Sequence, residues 1–279
     1  MVMKLLIPLL LCCVCCHAVV LKDLAYVSDG DPLQKLDLYL AEKKTDKPAP
    51  VIIGIHGGAW AFGDKSNPGF VHPKAAWFRS QGFIFVSINY RLSPKVVHPA
   101  HILDVCKAVV WIETHIAKHG GDPKQLYLIG HSAGAHLAAL AGVDELRLKA
   151  AGADPKSIKG VILLDGAAYH VPKQVAAAWR KDNLFTRAFT QDPKTQMDAS
   201  PTLKVASMTG APPPFLIMHV AERKESEAQS EELARALRAR GGKAKVAPIH
   251  DKSHGTINRD LGKPADATTK AVAEFLEAL

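Results

Sequence analysis

Cysteine is nearly absent from the body of this chain. Four of its five cysteines stand at positions 12, 13, 15 and 16, and only Cys106 lies beyond them. A chain that has lost its first residues therefore has no internal disulfide. Cys106 falls in a helical pattern, Asp104-Val105-Cys106-Lys107-Ala108-Val109-Val110-Trp111, with no base near it in sequence. It reads as a structural thiol rather than a nucleophile. Clustered positive charge is missing too. Lys and Arg are scattered, never interleaved with aromatics, and the net charge is only +8 over 279 residues. This excludes a nucleic-acid partner and leaves solubility, or weak attraction to anionic surfaces, as the reading of the excess. Internal repeats and low-complexity blocks are absent. What remains is 48% hydrophobic and 22% charged, enough to bury a full core in one large domain.

The first residues differ in kind. Met1-Val2-Met3-Lys4 is a short positive start, Leu5 to Cys16 is an apolar stretch of 12 residues, and Cys16-His17-Ala18 offers a small-residue cleavage site. The stretch is too short to span a bilayer and reads as a signal peptide over residues 1–18, implying a secreted or periplasmic protein with no stable membrane insertion after cleavage. Lipidation of one of Cys12 to Cys16 is the minor alternative, since the preceding residues are bulky or wrong for that processing.

From residue 19 to 279, strand-like runs alternate with helical patterns. Leu36 to Leu40 alternates apolar and polar residues like an edge strand. The runs at 51–55, 83–88, 126–129, 161–164 and 215–218 are almost wholly apolar, as strands covered on both faces are. Lys245 to Ile249 is a shorter last strand. Helical patterns fall near 73–81, 99–118, 133–142, 226–240 and 265–278, the fourth amphipathic through Leu233 and Leu237 and closed by Gly241-Gly242. The alternation predicts a doubly wound α/β domain with a mostly parallel sheet. Residues 166–214, long and broken by prolines, interrupt the rhythm and predict a small cap over the strand ends.

Gly130-His131-Ser132-Ala133-Gly134 directly follows the run Leu126 to Ile129 and precedes a helical stretch. Strand, Gly-x-Ser-x-Gly and helix in that order form a nucleophile elbow, in which Ser132 is held on a sharp turn with its hydroxyl exposed. Such a hydroxyl needs a base, and the base needs an acid. His254, in Asp251-Lys252-Ser253-His254-Gly255 after the last strand, is the candidate base, ahead of His250 and His219. The acid is sought after the strand at 215–218, where Glu222 is nearest, Glu225 second, and Glu227 belongs to the next helix. Upstream, His56-Gly57-Gly58-Ala59-Trp60 follows a strand, so the amides of Gly58 and Ala59 with that of Ala133 can form an oxyanion hole. Removing one such donor typically costs ~3 kcal/mol in the barrier. His115 and His119, four apart, lack the third ligand a zinc site requires.

These segments together resemble the α/β-hydrolase superfamily, in the branch of small carboxylesterases, hormone-sensitive-lipase-like esterases and kynurenine formamidases. The likeness covers residues 50 to 278. It rests on His56 to Trp60, Asn89-Tyr90-Arg91-Leu92-Ser93-Pro94, Pro99 with Asp104, and Gly121-Asp122-Pro123. Gly130 to Leu137, Asp198-Ala199-Ser200-Pro201 and Ser253-His254-Gly255 complete it. In relatives the acid is usually Asp with Gln-Ser seven and eight residues on. Gln229-Ser230 stand at that distance from Glu222, which favours Glu222 although Glu replaces Asp.

The resemblance implies an α/β-hydrolase fold and hydrolysis of a small, short-acyl carboxylic ester by Ser132, His254 and Glu222, with no cofactor and no metal. Trp60 is expected to bind substrate, with Phe62 and the cap aromatics Tyr169, Trp179, Phe185 and Phe189 as further walls. An arylformamidase or a polysaccharide acetyl esterase fits the same motifs, and a non-catalytic binding protein of this fold is the reading from another class. Acyl preference and oligomeric state are left open.

Overall fold

The computed structural model describes residues 20–42, 46–180 and 182–279. The expected signal peptide and its four cysteines lie outside the described residues. The chain runs β1 (Val20–Ala25), β2 (Lys35–Tyr39), β3 (Ala49–Ile55), α1 (Pro68–Ser80), β4 (Ile84–Ile88) and α2 (Ala100–His115). There follow β5 (Gly121–His131), α3 (Ala133–Val143), α4 (Glu145–Ala151) and β6 (Ile158–Leu164). Four short helices come next: α5 (Val171–Ala177), α6 (Leu184–Phe189), α7 (Pro193–Asp198) and α8 (Pro201–Lys204). The chain ends with β7 (Phe215–Val220), α9 (Lys224–Ala239), β8 (Ala244–Ile249), α10 (Thr256–Arg259) and α11 (Ala267–Glu277).

All eight strands form one sheet in the order β1-β2-β4-β3-β5-β6-β7-β8. β1, β2 and β4 pair antiparallel and every other neighbour pairs parallel. The apolar runs explain this arrangement, because successive side chains of a strand face opposite sides of the sheet. Val51, Ile53, Leu128, Val161, Leu163 and Ile217 pack on one side with residues of α2, α3 and α9. Ile52, Ile129, Ile162, Leu164, Leu216 and Met218 pack on the other with residues of α1 and α11. Truncating any one of the buried Ile, Leu or Met side chains among these to Ala should cost about 2–5 kcal/mol. β1 and α4 went unread in the sequence, being short and without a sustained apolar period.

Two features matter for the site. The parallel strands put the ends of β3, β5, β6, β7 and β8 along one edge, where ligands bind in such sheets. α3 is buried over its whole length, which its small residues permit. A Cβ on Gly134 would lie 2.0 Å from the Ile55 carbonyl oxygen, so only glycine lets this helix start so close to β3. Cys106, on α2, is buried, and burial pushes its thiol up to about 12. Among the described residues no helix is long and apolar enough to cross a membrane.

Candidate active site

Ser132 joins β5 to α3 with φ 56° and ψ −117°. A serine in that region costs about 1–3 kcal/mol, and the surrounding structure must hold it there. The turn projects Oγ toward the loop after β8, where His254 Nε2 lies 3.1 Å away. On the other side of the imidazole, Nδ1 lies 2.7 Å from the Oδ2 of Asp165. The chain of contacts fixes the tautomer. Nδ1–H donates to the carboxylate, which leaves Nε2 free to accept from the serine hydroxyl.

The acid partner is thus Asp165, not Glu222. Asp165 is the first residue beyond β6, the strand beside β5, and its carboxylate is fully buried. Its Oδ1 accepts from the Val220 amide, so the turn after β6 is tied to the end of β7. Glu222 points away: its carboxylate is 64% exposed and its partner is His250, at 4.0 Å. Glu225, the second choice, accepts from the Gln174 side chain. The physical reason is register. β7 ends at Val220, and the next residues turn into α9, so the side chain carried to the triad is that of Arg223.

Arg223 Nη1 donates to the same Oδ2 of Asp165 and stands 2.7 Å from His254 Nδ1. Arginine has no acceptor, so Nη1 and Nδ1 are two donors converging on one oxygen. Burial alone would raise the Asp165 pKa. Hydrogen bonds from His254 and Arg223, with the Arg223 charge, outweigh it and hold the carboxyl well below the usual carboxylate range.

Two histidines, His131 in the elbow and His136 on α3, brace the site. His131 donates from Nε2 to the His254 carbonyl at 2.8 Å, and His136 donates from Nε2 to the Ala199 carbonyl at 2.7 Å. Burial pushes each down to about 3, so both are neutral near pH 7. The free Nδ1 of His136 accepts from the Trp60 indole at 3.3 Å. Trp60 is therefore fixed between the core and the cap-side helices, with its ring 4.6 Å from Phe189.

The loop after β3, where an oxyanion hole was expected, runs through left-handed backbone. Gly58, Ala59 and Trp60 all have positive φ, at 120°, 51° and 58°. A Cβ on Gly58 would lie 2.1 Å from the Phe62 carbonyl oxygen, so glycine is required there. Ala59 and Ala133 face the same cavity as Ser132 and His254; Gly58 does not line it but shapes the turn that presents Ala59. Ala133 opens α3, so its N–H has no partner within the helix and lies at the positive end of the helix dipole.

The cavity measures about 180 Å³ and is walled by Trp60, Leu184, Phe185, Asp165, Arg223 and the residues just named. Of the aromatics expected there, Trp60 and Phe185 line it. Tyr169 and Phe189 are fully buried in the core, Phe62 is 66% exposed and Trp179 is 93% exposed, pointing into solvent. Asp165, Arg223 and the bracing roles of His131 and His136 were missed in the sequence. The signal for Asp165 was available: an Asp immediately after the strand that follows the nucleophile's.

Comparison with known proteins places the chain among esterases. The BD-FAE family model matches residues 36–237, more than half the chain, and the chain belongs to that family, within the α/β-hydrolase carboxylesterases. Esterase LipC of Mycobacterium tuberculosis is 32% identical over 198 residues, 68% of this chain and 48% of that protein. Probable isoprenylcysteine alpha-carbonyl methylesterase ICMEL1 of Arabidopsis thaliana is 29% identical over 240 residues, 81% of this chain and 49% of that protein. The chain thus spans about half the length of these curated relatives. Among solved structures, Esterase B from Lactobacillus rhamnosis superposes with a TM-score of 0.76 at 21% identity, over 94% of this chain and 84% of that one. A truncated carbohydrate esterase from gut microbiota gives 0.73 at 22% identity, over 94% and 96%. At such identities the likeness carries the fold alone, and the fold is the α/β-hydrolase fold.

Proposed function

We propose that this protein is an exported serine hydrolase that cleaves short-acyl carboxylic esters through an acyl-enzyme. One observation carries the reading: Ser132 Oγ, His254 and Asp165 stand in line at 3.1 and 2.7 Å. His254 takes the serine proton as Oγ attacks the carbonyl carbon, and Asp165 stabilises the imidazolium that forms. The oxyanion is held by the Ala59 amide in the loop after β3 and the Ala133 amide at the start of α3. Collapse expels the alcohol, which takes the proton back from His254. Water then releases the acid by the same route in reverse.

The ester class is supported by the family and by relatives named as esterases. The acyl limit is supported by the cavity, whose 180 Å³ between Trp60 and Phe185 suits a short chain. Export is supported by the apolar leader alone. The test is a panel of 4-nitrophenyl acetate, butyrate and octanoate, acetylated xylan and N-formylkynurenine, run with wild type and Ser132→Ala. Turnover falling from acetate to octanoate and lost in Ser132→Ala is expected. Turnover of N-formylkynurenine alone would replace the ester reading, and no turnover by wild type would favour a binding protein.

A further inference from the structure

Arg223 is the one group of the site that the hydrolytic scheme does not use. It follows β7, reaches the buried carboxylate of Asp165 with Nη1, and lines the catalytic cavity. Its side chain is 38% exposed while that of Asp165 is 0% exposed, so the guanidinium forms the open surface and the carboxylate lies behind it. Nε and Nη2 reach no acceptor among the described residues, which leaves three N–H groups of a planar fork unpaired on a residue that lines the cavity. Among the described residues no other Lys or Arg side chain lines that cavity.

Charge and competition point the same way. A Ser-His-Asp set with neutral imidazole carries a formal charge of −1, which repels an anion. Here Arg223 offsets Asp165, so the resting set is neutral and presents its positive member outward. The nearby acids are engaged elsewhere: Glu225 accepts from Gln174, Glu227 pairs with Lys224 at 2.9 Å, and exposed Glu222 faces His250. A planar fork beside the apolar walls of Trp60, Leu184 and Phe185 matches a carboxylate by two parallel hydrogen bonds.

We propose that Arg223 is a specificity residue that binds a carboxylate of the substrate, one imidazole's width from the Ser132 hydroxyl, so that the preferred substrates are acidic short esters. The inference rests on the ester-hydrolase reading above.

Two isosteric pairs test it. Monoethyl succinate against ethyl levulinate places the acid on the acyl side. O-acetylglycolate against acetoxyacetone places it on the alcohol side. For wild type, kcat/KM should favour the acid over its neutral partner in one pair by about threefold to tenfold, mostly through KM, given a partly exposed site. That ratio should fall with added NaCl. Arg223→Met should bring it to unity or below, and Arg223→Lys should retain part of it. Reading the ratio cancels whatever the substitution costs the triad. If Arg223→Met turns over neither ester, the Arg223→Lys ratio decides. No acid preference in either pair, or one unchanged by both substitutions, overturns the proposal and leaves Arg223 as a mere neutraliser of Asp165. Failure of wild type on the neutral esters as well would instead overturn the hydrolase reading.

Discussion

Replacing Asp165 by Asn separates the acid seen in the fold from the acid suggested by residue spacing. Asp165 Oδ2 accepts from both His254 Nδ1, at 2.7 Å, and Arg223 Nη1. Asn has the same shape but one oxygen fewer. Three donors then compete for the oxygen that remains, the Val220 N–H on one side and Nδ1 with Arg223 on the other. With the oxygen toward Val220, the NH2 group faces Nδ1, which must accept, so Nε2 carries the proton; with the oxygen toward Nδ1, the imidazolium formed on attack still loses its countercharge. The equivalent exchange in the serine-protease template costs about 10⁴ in kcat. That is about 5.4 kcal/mol of barrier, and a loss of that order is expected here. Glu222→Gln, in contrast, alters an exposed carboxylate facing His250 at 4.0 Å, and should change kcat by less than about twofold. The assay is kcat on 4-nitrophenyl acetate normalised to titrated active sites, with thermal melting as a folding control. An Asp165→Asn enzyme within about tenfold of wild type, or a crippled Glu222→Gln, would refute the reasoning.

Two stability predictions follow from burial. Burial pushes His131 and His136 down to about 3 and His101 down to about 4. An unfolded histidine protonates near pH 6.5, so between pH 6.5 and 4 the unfolded chain holds more protons and stability falls as pH falls. Each histidine contributes up to about 1.4 kcal/mol per pH unit in that window. Urea midpoints measured at pH 7, 6 and 5 should decline progressively, and less steeply in His136→Gln; a flat profile would contradict the buried neutral histidines. Gly134→Ala places a methyl 2.0 Å from the Ile55 carbonyl, a backbone clash that no rotamer relieves. It should cost at least about 3 kcal/mol and abolish activity, whereas a wild-type melting temperature would contradict the close packing of α3 on β3.

The fold was legible wherever its cause was local or periodic. Apolar runs such as Val161 to Leu164 read as covered strands because both faces of the sheet are packed. The elbow read correctly because its steric demand falls on five consecutive residues. His254 was found because it follows β8 in a short loop. The acid was ambiguous in the sequence for a topological reason. β6 and β7 lie side by side and both end at the same edge, so the acid could be sought after either strand, and only Asp165, after β6, meets His254 Nδ1. Spacing from Gln229-Ser230 favoured the β7 loop, whereas the fold places Arg223 there and Asp165 opposite. The pairing of those two is a contact across 58 residues, and no local pattern carries it. α5 to α8 went unread for a related reason. They are four to seven residues long, shorter than the span over which an amphipathic period shows.

The claim on which the mechanism stands is that the Ser132 oxygen is the attacking atom. Exposure to an alkyl 4-nitrophenyl phosphonate, followed by intact-mass and peptide mapping, addresses it directly, since the phosphonyl group traps a serine in the geometry of the tetrahedral intermediate. The account predicts one phosphonyl group per chain, on the peptide carrying residue 132, formed in step with loss of esterase activity and absent from Ser132→Ala. An adduct on another residue, or an active enzyme that forms none, would contradict it.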